Sequence, residues 1–347
     1  MPVVQLADVI VPERFSEYQS ENSMTSTALF QSGVLVPNPL MKAEISSGGF
    51  SVNVPFWGDL VSVADPGGVD PNLSNDNPAQ LSTPAKISAR NQVVRKSFLN
   101  SSFGSMSFAG ELAGSDPMQR IADRVLSFWN RTYEYRLIQS LIGILLSNVA
   151  NNNGDMVVDI SAASAANPIT VNGTQYTSPT ICRNAIVDAA STIGDRLDDF
   201  RAIAVHSAVY REMVKANEVE FIRDSDNDIM FATYAGMAII KDDSLVMPSA
   251  GVYMTVLFGP GAVGYASGGP STGFATEIWR YPDQGNGGGA SVLFSRQNSI
   301  IHPLGFSFTS ASVAGESPAS AELALAANWQ RTAFSRKSVP LCLLVSK

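Results

Sequence analysis

The sequence predicts a mixed helix-and-sheet protein, α/β or α+β, built around one long helix, and three observations predict it. Apolar residues recur four apart at Ile121, Val125, Trp129, Tyr133, Leu137, Leu141 and Leu145, with Leu126, Ile138 and Ile142 beside them, which is the helical period. Phe50, Val52, Val54 and Phe56 alternate with polar residues, the strand period, and Arg201–Val205 and Val252–Phe258 read as strands. Between the first strand and the next lie roughly thirty-five residues rich in Asp, Asn, Pro, Gly and Ser, a longer polar loop than a compact domain carries unless the loop has a job or is disordered.

The helix opens at Asp116-Pro117. Asp116 can accept from the free amides of the first turn, Pro117 sits where its missing N–H costs nothing, and Gln119 holds the capping-box position. Asp123, Arg124, Arg131, Glu134 and Arg136 interrupt the apolar stripe, and Asn151-Asn152-Asn153-Gly154 stops it. Such a helix spans roughly 45–50 Å, against about 11–12 residues for an average one. A strut of that length suggests architecture before catalysis.

Ahead of it, residues 1–47 hold apolar pieces broken by proline, Val9-Ile10-Val11-Pro12 and Val34-Leu35-Val36-Pro37, with weakly helical Glu13–Ala28 between them. They read as an extended arm that docks on something else. The strand at Phe50–Phe56 and a second at Gln92–Phe98 frame an excursion centred on Asp65-Pro66-Gly67-Gly68. A two-stranded arm is marginal alone in water, so it needs a neighbouring subunit to lie on. After the long helix, Asp155–Ile160 and Ile169–Val171 read as short strands around the Asn172-Gly173 turn. A helix follows from Ser178-Pro179 to Ile193, closed by Gly194, and another is capped by Ser207. Strands are expected at Met237–Lys241, Val252–Phe258, Phe274–Tyr281, Ser291–Arg296 and Ile300–Phe308. A last helix starts at Ser317-Pro318 with Leu323, Leu325 and Trp329 inside it, and Val339–Val345 closes the chain as a strand.

Composition narrows the function. Charged residues make up 16% of the 347, below the usual quarter or so, as on a surface covered by other protein or in a β-rich domain carrying many Ser, Thr and Asn. A net charge of −8 argues against tight, non-specific nucleic-acid binding through a basic face. Cys182 and Cys342 read as buried free thiols, with a single disulfide as the alternative. The N-terminus shows no secretory signal, and Leu137–Val149 is too short and too polar to span a membrane, so a soluble protein made in a cytoplasm is expected.

Each candidate for chemistry has a plainer reading. Gly259-Pro260-Gly261-Ala262-Val263-Gly264 spells a dinucleotide fingerprint, with Glu277 at the distance of a ribose-binding acid. The third glycine should begin a helix, yet 265–274 is loaded with Gly, Pro and Ser, so a tight turn between strands accounts for it better. Asp224-Ser225-Asp226-Asn227-Asp228 opens like a calcium loop, but Ile229 stands where glycine is needed and Ala235 where glutamate is. Asp195, Asp198, Asp199 and the Asp242-Asp243 pair read as surface turns, and Lys86 and Lys96 as surface lysines. His206-Ser207 and His302-Pro303 lack any nucleophile elbow around them. No catalytic residue, cofactor or metal site is expected.

The order of elements and several stretches of text resemble the major capsid protein of tailed bacteriophages, with the Hong Kong 97 fold. The stretches are Val54-Pro55-Phe56-Trp57 with Asp59-Leu60, Asp116-Pro117-Met118, and Gly194-Asp195-Arg196-Leu197-Asp198-Asp199 leading to Ala202-Ile203-Ala204-Val205-His206-Ser207. Tyr234-Ala235-Gly236 before Asp242-Asp243, His302-Pro303-Leu304-Gly305-Phe306 and Asn328-Trp329-Gln330-Arg331 complete them. The resemblance implies an α+β fold with an N-terminal arm at 1–47, an extended loop at 48–104 and a peripheral domain at 105–174 holding the spine helix 116–149. It further implies an axial domain at 175–285 and a return to the peripheral domain at 286–347.

It implies a protein that self-assembles into hexamers and pentamers of an icosahedral head around double-stranded DNA, without sequence-specific binding. A portal and possible decoration proteins would be partners. Because the chain begins almost at the arm, a separate scaffolding protein is expected too. Inter-subunit contacts are expected at Val34, Leu35, Val36, Phe50, Val52, Val54, Phe56, Trp57, Val93 and Phe98. The rivals are an encapsulin-like nanocompartment shell of the same fold and a nucleotide-binding α/β enzyme using the turn at Gly259.

Overall fold

The first described elements are β1 (Leu35–Pro37) and α1 (Pro39–Ile45), the helix capped by Asn38, whose side chain accepts from the Leu40 and Met41 amides. The computed structural model describes residues 29, 32, 34–58, 60, 70–223, 229–333 and 335–347. The arm pieces Val9–Pro12 and Glu13–Ala28, the Asp65–Gly68 turn and the acidic run Asp224–Asp228 lie outside the described residues.

β2 (Ser51–Trp57) and β3 (Ala89–Arg95) pair antiparallel, from Ser51 opposite Arg95 to Trp57 opposite Ala89. The second expected strand, Gln92–Phe98, is two strands. The chain turns inward at Lys96, and β4 (Ser97–Met106) leaves for another sheet. α2 (Ser107–Ala113) ends on Gly114 at φ +65, a left-handed cap suited to glycine.

The spine helix α3 follows (Pro117–Asn151). Asp116 accepts from the Met118 amide at 2.9 Å, as expected of a cap, while Gln119 bonds Asp123 instead of closing a box. The first turns are largely open, and from Tyr133 to Asn148 most positions are buried, with Tyr135 and Leu146 the exposed exceptions. Glu134 and Arg136 therefore do not interrupt a surface stripe. They are only 3% and 5% exposed, because this stretch is covered on more than one side.

Beyond α3 come β5 (Val157–Asp159) and the hairpin β6 (Ile169–Val171) to β7 (Thr174–Tyr176), which turns on Asn172 and Gly173, both at positive φ. α4 (Arg183–Ser191) starts later than Ser178-Pro179, because the chain stays extended through Cys182. β8 (Ala202–Val205) leads into α5 (Ser207–Lys215). The cap of α5 is His206, not Ser207: its Nδ1 accepts from the Ala208 amide at 3.0 Å. β9 (Glu220–Arg223), β10 (Ile229–Tyr234), β11 (Met237–Lys241) and β12 (Tyr253–Phe258) follow. Next are β13 (Val263–Gly268), β14 (Thr276–Tyr281), β15 (Ala290–Pro303) and β16 (Phe306–Phe308). The expected final helix shrinks to α6 (Ser320–Leu323), and Trp329 lies on β17 (Trp329–Arg331), paired with β16. There its indole N–H reaches the Leu323 carbonyl at 2.7 Å. β18 (Leu341–Ser346) ends the chain.

Two sheets organise these strands. One has seven in the order β5-β18-β12-β8-β11-β10-β9. Its faces separate by the two-residue period: Met254, Val256, Phe258, Leu341, Leu343 and Val345 share a core with Leu137, Leu141 and Leu145 of α3. Leu257, Cys342 and Leu344 point the other way, into a core with Ala185, Ile186 and Ala189 of α4 and Val209 and Met213 of α5. The other sheet is built on β15, with β4 on one side, β13 and β14 on the other, and β1 parallel to β13. A third, small core of Met41, Ile45, Val94, Ala266 and Ile300 lies under the base of the excursion.

Candidate assembly surface

The base of the excursion is fastened to its own chain. Val52 and Val54 pack on the small core beside Ile45 and Val94. The Val93 amide donates to Ser307 Oγ at 2.9 Å, and Arg90 Nη1 donates to the Thr332 carbonyl at 3.0 Å. Lys96 is no surface lysine: it is 1% exposed, and its Nζ donates to the Ser47 carbonyl and hydroxyl, each at 2.8 Å. Burial lowers its pKa, with Glu44 acting in the opposite direction. Phe50 meets Phe98 edge-on at 6.2 Å, and the Arg95 guanidinium lies over the Phe50 ring at 5.1 Å.

Among the described residues, the far part of the excursion from 70 to 88 has no such support. Residues 70–88 are exposed throughout and form no strand or helix. They are closed on themselves by Asn72, whose amide donates to the Thr83 carbonyl and whose oxygen accepts from the Thr83 amide. Trp57, Leu73 and Leu81 are 71%, 88% and 89% exposed. The two leucines were missed in the sequence, although isolated large apolar residues in a polar stretch are the available signal. Of the expected contact residues, Val34 and Leu35 are buried in the chain's own main core, whereas Val36 is exposed. Phe56 is half-buried and Val93 likewise, their strands being held together at the base.

The chemistry candidates take structural roles. The turn at Gly261, φ +68, joins strands β12 and β13, and strand β13 occupies the place where a phosphate-binding helix would start. A side chain at Gly259 would meet Pro340 at 2.8 Å, and one at Gly264 would meet Met41 at 2.9 Å, so close packing explains both glycines. His206 stacks on Tyr253 at 4.3 Å, and its cap bond occupies Nδ1. His302 is buried, its Nε2–H donates to the Phe306 carbonyl at 2.7 Å, and burial pushes its pKa down to about 4, leaving it neutral. Asp195 pairs with Lys337 at 2.7 Å on the surface, but Asp242 is buried and does not belong to a surface turn. Both cysteines are unpaired. Cys342 is buried and Cys182 only partly so. Among the described residues no group of three His, Cys, Asp or Glu is placed to hold a metal, and no helix is long and apolar enough to cross a membrane.

No family model matches the chain. Its fold is similar to solved capsids over its whole length. The capsid of Ralstonia phage GP4 gives a TM-score of 0.60 at 11% identity, covering 100% of this chain and 98% of that one. The capsid of cyanophage Pam1 gives 0.54 at 9% identity, covering 96% of each. The class these likenesses define is the α+β Hong Kong 97-like capsid fold. In sequence, the major capsid protein of Bacillus phage SPP1 is 32% identical over 343 residues, 97% of this chain and 96% of its own length. The chain belongs to the major capsid proteins of tailed bacteriophages.

Proposed function

We propose that copies of this chain join as hexamers and pentamers into the icosahedral head of a virion, which encloses double-stranded DNA without reading its sequence. The work is mechanical: no catalysis and no cofactor enter it. Modest contacts repeated around closed rings add up through symmetry and multivalency. The observation that carries this reading is the excursion, fastened at its base while residues 70–88 stand in solvent with Leu73 and Leu81 exposed. In the assembly, residues 1–47 act as the arm, 48–104 as the extended loop, 105–174 and 286–347 as the peripheral domain and 175–285 as the axial domain. The net charge of −8 suits a container that must not grip its contents.

Deleting Ser62–Ser88 tests the reading. The shortened protein is expected to stay folded and soluble but to form no shells under conditions where the parent does. Normal particles from the deletion would refute the role of the loop. A scaffolding protein, portal and decoration protein are proposed partners, and expression of this chain alone tests the first, since regular closed shells would count against it. ATP or NAD raising the unfolding temperature would instead favour the enzyme reading at Gly259.

A further inference from the structure

At the base of the excursion two guanidinium groups line one cavity, and no carboxylate of the described residues lines it with them. Arg136, on α3 and 5% exposed, makes both its hydrogen bonds from Nη2, to Ser97 Oγ at 2.8 Å and to the Pro318 carbonyl at 2.9 Å. A guanidinium has five N–H donors, so those of Nη1 and Nε remain. Arg95 gives Nη2 to the Glu316 carbonyl at 2.6 Å, and its buried Nε–H has no partner among the described residues. The cavity measures ≈ 20 Å³ and is lined also by Ser97, Ser140, Ser299 and His302.

Among the described residues no carboxylate pairs with either guanidinium. Burial disfavours a charge on His302, whose Nε2–H is given to the Phe306 carbonyl. Glu134 accepts from the Leu29 amide, and Glu322 from the Ala314 and Ala319 amides. A buried cation without a counter-charge is strongly unfavourable. A water molecule needs acceptors for its own two protons. The side-chain acceptors lining the cavity are the hydroxyls of Ser97, Ser140 and Ser299, which are donors as well, and the Pro318 carbonyl already accepts once from Arg136. The lining thus has donors to spare, which suits an acceptor-only guest. The volume exceeds the ~10–15 Å³ a water requires, and is far too small for phosphate or a carboxylate side chain.

We propose that this cavity binds one monovalent anion of chloride size, held by Arg136 and Arg95, which ties the base of the excursion to the spine helix. Bromide is the probe. Crystals of the full-length protein soaked in sodium bromide are expected to show an anomalous peak within hydrogen-bond reach of Arg136. At matched ionic strength, exchanging chloride for gluconate should lower the unfolding temperature by roughly 2 °C, and Arg136→Met should lose that difference. Absence of bromide beside Arg136, or equal unfolding temperatures of the parent in the two salts, overturns the proposal. Should Arg136→Met fail to fold, the bromide peak and the parent's salt comparison still decide it.

Discussion

The carboxyls of Glu134 and Asp242 meet inside the core, where α3 passes the end of β11. Glu134 Oε1 accepts from the Leu29 amide at 2.9 Å, and Asp242 Oδ1 from the Ser244 amide at 2.8 Å. Their other oxygens, Oε2 and Oδ2, are buried without a conventional donor. Two carboxyls can hydrogen-bond only if one carries a proton, and the environment of Glu134 favours its protonated form. Burial, and then Asp242, push the Glu134 pKa up to about 8.

The sign of the resulting pH dependence follows. An unfolded glutamate titrates near 4.3, so between there and about 8 the folded chain holds a proton that the unfolded chain has lost. This contribution to stability is full below the unfolded pKa and is lost as pH rises towards 8, with a slope of at most about 1.4 kcal/mol per pH unit. Glu134→Gln keeps a hydrogen-bonding side chain without the titration. Urea unfolding from pH 5 to 9 should therefore show a shallower pH slope for the variant than for the parent, and identical slopes would overturn the raised Glu134 pKa.

Gly143 marks the closest crossing of α3. A side chain there would overlap the Leu323 carbonyl oxygen and lie 2.6 Å from Trp329 Nε1. Helix propensity alone would favour alanine by about 1 kcal/mol. Overpacking at a fixed crossing costs about 1–3 kcal/mol and here also threatens the Trp329–Leu323 hydrogen bond, so the steric cost wins. Gly143→Ala should lower stability in denaturant melts despite its better propensity.

Lys96 and Lys86 should differ sharply towards an amine-reactive reagent. Lys86 is exposed, whereas the Lys96 amine is enclosed by Ser47 and Gly48. Brief acetylation of the native protein followed by peptide mass spectrometry should modify Lys86 and spare Lys96. Lys96→Met leaves the Ser47 carbonyl without this donor and should cost about 1–3 kcal/mol.

The spine helix was legible because its cap, its period and its stop all lie within one stretch of chain. The tight turn at Gly259 was legible because a helix cannot start on residues so rich in Gly, Pro and Ser. Pairing between distant segments left no comparable trace. Lys96 reads as a surface residue in any local window, and only the fold of Ser47 against β3 buries it. Glu134 and Arg136 looked like breaks in the stripe because periodicity cannot report that a second layer covers the helix. Trp329 reads as helical after Glu322, yet its indole is fixed by Leu323 and by the edge of Phe308 at 5.0 Å, which a strand supplies. Alternation put Val52, Val54 and Phe56 on one face of β2 but could not tell Leu35, inside the subunit, from Val36, outside it.

That last distinction separates folding from assembly. Leu35 is 6% exposed and packs in the main core, so Leu35→Ala should cost about 2–5 kcal/mol in the isolated subunit. Trp57, Leu73 and Leu81 contribute little to that core, and replacing an exposed side chain moves stability by about 0.5 kcal/mol or less. An interface, by contrast, concentrates its energy in a few large apolar anchors, aromatic ones above all. Trp57→Ala combined with Leu81→Asp should therefore leave the subunit's unfolding midpoint near the parent value while abolishing shells in electron micrographs. Sedimentation of the variant as small species, beside parental particles, is the expected result. Parent-like particles from the double variant would place the assembly contacts elsewhere on the subunit.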